Sequence, residues 1–271
     1  MIRSTLLALF FSTVTCFAQS EVNVPIANYK LSKLDNFYVD QFQNLYVVNN
    51  AELRKYDPTY KQLYSYSNPL KGVINQVDVM NALNPYIFYR DWNEVVVVDN
   101  RLNASTAINF NDFGFLDVLF ISFADQDNVW FYDQGTDKMY LFNLQSKKVV
   151  NSSLNITQII GAENMPHSMI STINKVYLNI PEKGILLFDA LGSLQKTIPI
   201  KNVESFCVQG KELYYVQGGN VFLYSLTTSQ VDAIDLKDKD LKNVRVAGKR
   251  LYTSNKEGIG VYQLPASISK Q

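Results

Sequence analysis

Apolar residues along this chain fall in short runs, continuous or alternating, and each run ends at a polar turn that leads into another run. The pairs read NLYVVNNAELRKYD (44–57), PYIFYRDWNEVVVVD (85–99), NVWFYDQGTDKMYLFN (128–143), KVYLNIPEKGILLFD (175–189), ELYYVQGGNVFLYS (212–225) and RLYTSNKEGIGVYQ (250–263). Each is a strand, a turn and a second strand. Aromatic residues recur at the matching position, at Tyr46, Phe88, Phe131, Tyr177, Tyr214 and Tyr252. Their spacing is about 40 residues, the period of a β-propeller blade. No unit sustains apolar positions at i, i+3, i+4 and i+7, which excludes helical repeats of similar length.

Flanking segments complete each blade. An apolar stretch precedes the hairpins, as in INQVDVM (74–80), FLDVLFISF (115–123), VESFCVQ (203–209) and LKNVRVAG (241–248), and predicts an inner strand crowded by its neighbours. A more polar stretch follows, as in KQLYSYS (61–67), KKVVNSS (147–153) and LQKTIPI (194–200), and predicts an outer strand facing water. The last unit lacks its outer strand, while VNVPIANYKLSKL (22–34) precedes the first unit without a partner. Pairing the two closes a ring and removes an exposed edge. The expected fold is an all-β propeller of six four-stranded blades closed by an N-terminal strand, filling residues 19–271 as one domain. Five blades is the alternative if the irregular second unit is not a blade.

The run Asp40-Gln41-Phe42-Gln43-Asn44-Leu45-Tyr46-Val47 resembles the D-x-x-G-N-L-Y-V run of NHL-type, YWTD-like six-bladed propellers, with Gln43 in the usual place of Gly. The resemblance implies architecture and carries over no catalytic or ligand residue.

The chain has 25 basic and 25 acidic side chains and no formal net charge, which excludes the basic excess of a nucleic-acid binder. With 47% apolar and 13% aromatic residues it has material for a packed core. Residues 1–18 read as a secretory signal peptide: Arg3, an apolar stretch from Leu6 to Phe11, and Ala18 before a cut at Gln19. Cys16 raises lipidation, but Thr13-Val14-Thr15 fit that recognition box poorly, so cleavage at Ala18 is expected instead. Cys207 is then the sole cysteine, and no disulfide forms within the chain. No later run of 18 apolar residues predicts a membrane span. The sequons at Asn103, Asn151 and Asn155 are too common a triplet to imply glycosylation.

Candidate chemistry is sparse. The single histidine, His167, lies in a loop-like stretch, and one His with one Cys cannot assemble the usual zinc ligand set. No G-x-S-x-G turn presents a nucleophile. Asp91, Glu94, Asp133 and Asp137 could act as an acid–base pair only if two of them approach each other; as turn residues they terminate strands. The oxygen-rich runs Asp125 to Asn128 and Asp235 to Asp240 lack the pattern of a calcium loop. Gly218-Gly219 suits a hairpin turn rather than a phosphate loop.

The turns between second and third strands should share one face with the connectors between blades. That face carries the expected partner-binding residues: Arg90, Asp91 and Trp92, Phe113, His167, and Glu182 with Lys183. Trp and Arg dominate binding hot spots, which singles out Trp92; its alternative role is packing onto a neighbouring blade. The expected function is an exported, non-enzymatic interaction module, periplasmic or outer-membrane-associated, that serves a cell-envelope assembly or secretion complex. It has a protein partner, possesses neither cofactor nor metal, and binds no nucleic acid. A propeller hydrolase or lyase, and a glycan-binding sensor, are the alternatives.

Overall fold

The computed structural model describes residues 23–30 and 36–264; residues 1–18, read above as a signal peptide and including Cys16, and part of the 22–34 segment lie outside the described residues. The described strands form six antiparallel four-stranded sheets, each running in chain order from inner to outer strand except the last. The protein is a six-bladed β-propeller. The irregular second unit is a full blade, built from Gln76–Asp78, Tyr86–Tyr89, Glu94–Val98 and Ala104–Asn109.

Blade 6 takes its outer strand from the N-terminal part of the chain. Ala27–Lys30 pairs antiparallel with Gly258–Gln263, with Ala27 opposite Val261 and Lys30 opposite Gly258. Asn23 extends the closure by pairing with the connector before blade 6: its amide donates to the Asp235 carbonyl at 3.1 Å, and its own carbonyl accepts from Lys237 at 3.0 Å. The third strand of the blade therefore never presents an open edge.

The core is six separate apolar layers, one between each pair of adjacent blades. Between blades 4 and 5, for example, Tyr177, Ile185 and Leu187 meet Phe206, Leu213 and Tyr215. All six repeated aromatics are buried in these layers. They also share one register, each standing across from an inner-strand residue: Tyr38, Gln76, Ile121, Ile170, Cys207 and Arg245.

Burial does not fall steadily from inner to outer strand, as the apolar stretches suggested. The second and third strands are the most enclosed, as in Lys175–Ile180 and Gly184–Asp189, because both of their faces meet other blades. Inner strands mix buried and half-buried positions, because part of each lines the axial channel, where they carry polar groups such as Gln76, Asp78 and Arg245. Outer strands are mostly exposed, as in Gln62–Ser67. The short helix Ile156–Ile160, which strand periodicity does not signal, occupies the connector between blades 3 and 4 and buries Ile156 and Ile160.

Candidate functional site

Antiparallel order fixes which loops share a face. Each inner strand begins where the preceding blade ends, so blade-to-blade connectors and turns between second and third strands emerge on the same side. All seven expected partner-binding residues lie in these segments, but the structure does not gather them into one cluster.

Arg90 and His167 both reach the upper mouth of the axial channel, a cavity of about 660 Å³. The Arg90 amide donates to Asn75 Oδ1 at 2.8 Å, and the His167 amide donates to the Asn179 carbonyl at 2.8 Å, which fixes the backbone at both points. Asp91 and Trp92 sit beside them in a single 3-10 turn, Arg90–Trp92, that closes at Asn93 in the left-handed region. Asn93 is buried and holds the turn to the next connector: its Nδ2 donates to Asn111 Oδ1 and the Phe115 carbonyl, and its Oδ1 accepts from the Val118 amide.

Trp92 is 47% exposed. Its indole N–H donates to the Lys71 carbonyl at 3.0 Å, while Lys71 Nζ lies 5.1 Å from the ring and 2.6 Å from Glu94 Oε1. The ring is therefore held by the connector entering its own blade, with the remainder open to solvent. Phe113 turns toward the protein, 4.9 Å from the Phe142 ring, and lines a separate side groove between blades 2 and 3. Glu182 and Lys183 are exposed on the blade 4 turn, where Lys183 Nζ stands 3.9 Å from Glu163 Oε1.

Three of the four candidate acid–base carboxylates are bound into local structure, while Asp91 is exposed in its turn. Asp133 is buried and accepts from the Asp117 amide and from the Thr136 amide and hydroxyl. Asp137 accepts from the Thr157 amide and hydroxyl and from the Tyr132 hydroxyl. Glu94 is held by Lys71. Asp125 spends one oxygen on the amides of Asp127 and Asn128, and Asp238 accepts from the Tyr262 hydroxyl. Among the described residues, no group of three His, Cys, Asp or Glu side chains is placed to hold a metal ion. Gly218 and Gly219 form the blade 5 hairpin turn at φ of 57° and 74°, which only glycine adopts without strain.

Around the channel, side chains stitch neighbouring inner strands that are too splayed for backbone pairing. Gln76 brackets Ile121, donating to its carbonyl at 2.6 Å and accepting from its amide at 3.2 Å. Ser122 Oγ accepts from the Ser171 amide at 2.7 Å. Ser205 Oγ accepts from Arg245 Nη1 at 3.0 Å.

Two features of this face escaped the sequence reading. One is Arg245, a charge between Val244 and Val246 in the run LKNVRVAG, which was signal enough to mark it. The other is an arc of exposed apolar residues: Leu70, Val73, Leu116, Leu154 and Met165, with Trp92 among them. All lie in the connectors entering blades 2, 3 and 4 or in the blade 2 turn. Exposed charges occur on both sides of this face, among them Arg90, Asp91, Asp112, Glu163, Glu182 and Lys183 over blades 2 to 4 and Lys201, Lys237, Lys239, Asp240, Lys256 and Glu257 over blades 5 and 6. What differs is that the described connectors and second-to-third turns of blades 5 and 6 expose no large apolar side chain. Single apolar residues inside otherwise polar connectors were the available signal.

No family model matches the chain, and no curated protein matches it. Solved propellers do. A chain of a mitotic checkpoint complex aligns over 97% of this chain and 99% of its own at a TM-score of 0.62 and 9% identity. Virginiamycin B lyase from Staphylococcus aureus, in an inactive form with quinupristin, aligns over 88% and 82% at 0.59 and 11% identity. The Pan2 WD40 domain from Neurospora crassa aligns over 87% and 80% at 0.58 and 9% identity. These identities establish a shared propeller fold and nothing finer.

Proposed function

We propose that this propeller is an exported, non-enzymatic protein-interaction subunit or accessory of a cell-envelope complex, of the outer-membrane assembly or secretion type, which docks by its turn-bearing face. The observation that carries the reading is the arc of exposed apolar side chains over blades 2 to 4, set among exposed charges such as Arg90, Asp91, Glu163 and Lys183, with no large apolar side chain exposed on the described connectors and second-to-third turns of blades 5 and 6. Interfaces combine a desolvated apolar centre with a polar surround. Trp92 has the form of an anchor: its indole is held by Lys71, which Glu94 holds in turn, so little side-chain freedom is lost when a partner covers it. Export rests on the N-terminal segment, with its charged, apolar and small-residue parts in order. The periplasm or the outer membrane is the proposed location.

The non-enzymatic part of the reading is supported by the use of Asp133, Asp137 and Glu94 as turn caps and ion-pair partners. One similar fold comes from a multiprotein checkpoint assembly, which agrees with a docking role. Affinity recovery from the native envelope with wild type, Trp92→Ala and Leu116→Glu/Leu154→Glu tests the proposal. The expected result is one stoichiometric partner with wild type, lost in both variants at unchanged melting temperature. Undiminished recovery by both variants would overturn docking by this face. Loss of the cellular role on Asp91→Asn, in a protein that still folds, would favour a hydrolase.

A further inference from the structure

The axial channel holds an imbalance of charge that the fold does not use. Two carboxylates line the cavity, Asp78 and Glu204, and both are engaged. Glu204 Oε2 lies 2.7 Å from Lys242 Nζ. Asp78 accepts from the amides of Met80 and Phe123, at 2.9 and 3.0 Å, and burial still pushes its carboxyl above the usual range. Two guanidinium side chains, Arg90 and Arg245, and the imidazole of His167 line the same cavity. Among the described residues, none of the three forms an ion pair with a carboxylate.

Arg245 is the most fixed of them. Its Nη1 donates to Ser205 Oγ at 3.0 Å and to the Val244 carbonyl at 2.7 Å. The rings of Tyr38 and Phe37 lie 5.4 and 5.9 Å from the guanidinium carbon. The contacts orient the guanidinium plane while engaging one of its three nitrogens. Arginine in such a setting pairs with a planar anion through two parallel hydrogen bonds, and a carboxylate matches that fork. Asn36 and Asn243 supply neutral amide donors nearby on the wall.

We infer that the axial channel is a carboxylate-binding site anchored by Arg245, with Arg90 drawing the anion in at the mouth beside His167. The carboxylate belongs either to a small organic acid or to an inserted peptide, through its acidic side chain or its C-terminus. The anchor Arg245 lies on an inner strand inside the channel, and neither Leu116 nor Leu154 lines that cavity, so the Leu116→Glu/Leu154→Glu variant should leave the site intact.

Calorimetric titration of the folded mature chain tests this with four probes: glutarate, its neutral analogue glutaramide, a short acidic peptide with a free C-terminus, and inorganic phosphate. Glutarate, the peptide or both should bind, and glutaramide should not. Arg245→Gln should weaken binding at least tenfold, and Arg245→Lys should retain part of it, with folding of each variant checked by its melting curve. Binding by glutarate assigns a small acid, and binding by the peptide alone assigns a peptide. No carboxylate binding to wild type at millimolar concentration would overturn the site. So would undiminished binding in Arg245→Gln, or phosphate binding more tightly than either carboxylate. If Arg245→Gln fails to fold, the Arg245→Lys comparison decides: unchanged affinity in that variant overturns the assignment, because lysine keeps the charge but loses the fork.

Discussion

Asp40 closes the turn in which Gln43 adopts a left-handed backbone, with φ of 66°. Asp40 Oδ1 accepts from the amides of Phe42 and Asn44, both at 2.9 Å, and Oδ2 accepts from Asn44 Nδ2 and the Tyr46 hydroxyl. The carboxylate thus holds both flanks of a residue that glycine would occupy more comfortably. Left-handed backbone costs a non-glycine residue about 1–2 kcal/mol, and glycine returns part of this through its greater freedom when unfolded. Gln43→Gly should therefore stabilise by about 0.5–1 kcal/mol. Asp40→Ala should destabilise by about 1–3 kcal/mol by stranding donors around a buried position. Denaturant melts of both variants check this, and destabilisation by Gln43→Gly would refute the account of the turn.

Closure by Ala27–Lys30 gives a second expectation. A chain that starts at residue 36 would expose the full edge of Gly258–Gln263 and lose the Tyr29–Tyr60 stack at 3.6 Å, which ties blade 6 to blade 1. An open edge invites pairing between molecules. The truncated protein should aggregate or melt over a broadened range. A melting curve identical to that of the full mature chain would show that the ring holds without its N-terminal strand.

The repeated aromatics should carry a large share of the stability. Tyr177 and Tyr214 are 1% and 0% exposed and belong to neighbouring inter-blade layers. Truncation of either to Ala should cost about 3–5 kcal/mol. Tyr64→Ala, on an outer strand, should change stability by less than about 0.5 kcal/mol. Equal effects at all three sites would mean that the layers between blades are not the stabilising core.

The hairpins were legible because their strands are enclosed on both faces. Selection for apolar residues at Val95, Val96, Ile185 and Leu186 leaves a continuous run that sequence pattern detects. Inner strands were located correctly, but their exposure to a polar channel was not, since Gln76 and Arg245 answer to neighbouring blades rather than to strand periodicity. The channel mouth was invisible for a related reason. Arg90 and His167 are distant in sequence, and ring closure alone brings them to one cavity. Trp92 stood out by type, whereas its support from Lys71 depends on a connector whose path no local pattern specifies.

Cys207 supplies a prediction that reads the channel wall from inside. It stands opposite Tyr214 on the inner strand Ser205–Gln209 and is half-buried. Burial pushes its thiol up to about 12, against the smaller opposing pull of Arg245 and a hydrogen bond from the Val246 amide. Thiolate is the reactive species, so at pH 8 iodoacetamide should alkylate the folded mature protein about a thousandfold more slowly than the urea-unfolded chain. The same shift sets a sign for stability. As pH rises from about 9, the unfolded chain loses the thiol proton while the folded chain keeps it, so stability falls. Buried tyrosines such as Tyr46, Tyr177 and Tyr252 are pushed up as well and give a falling slope in both chains, so the contribution of Cys207 is the difference: between about pH 8 and 10 stability should fall more steeply in wild type than in Cys207→Ala. Rapid alkylation of the native protein, or the same slope in both chains, would mean that the thiol is open to water in the channel.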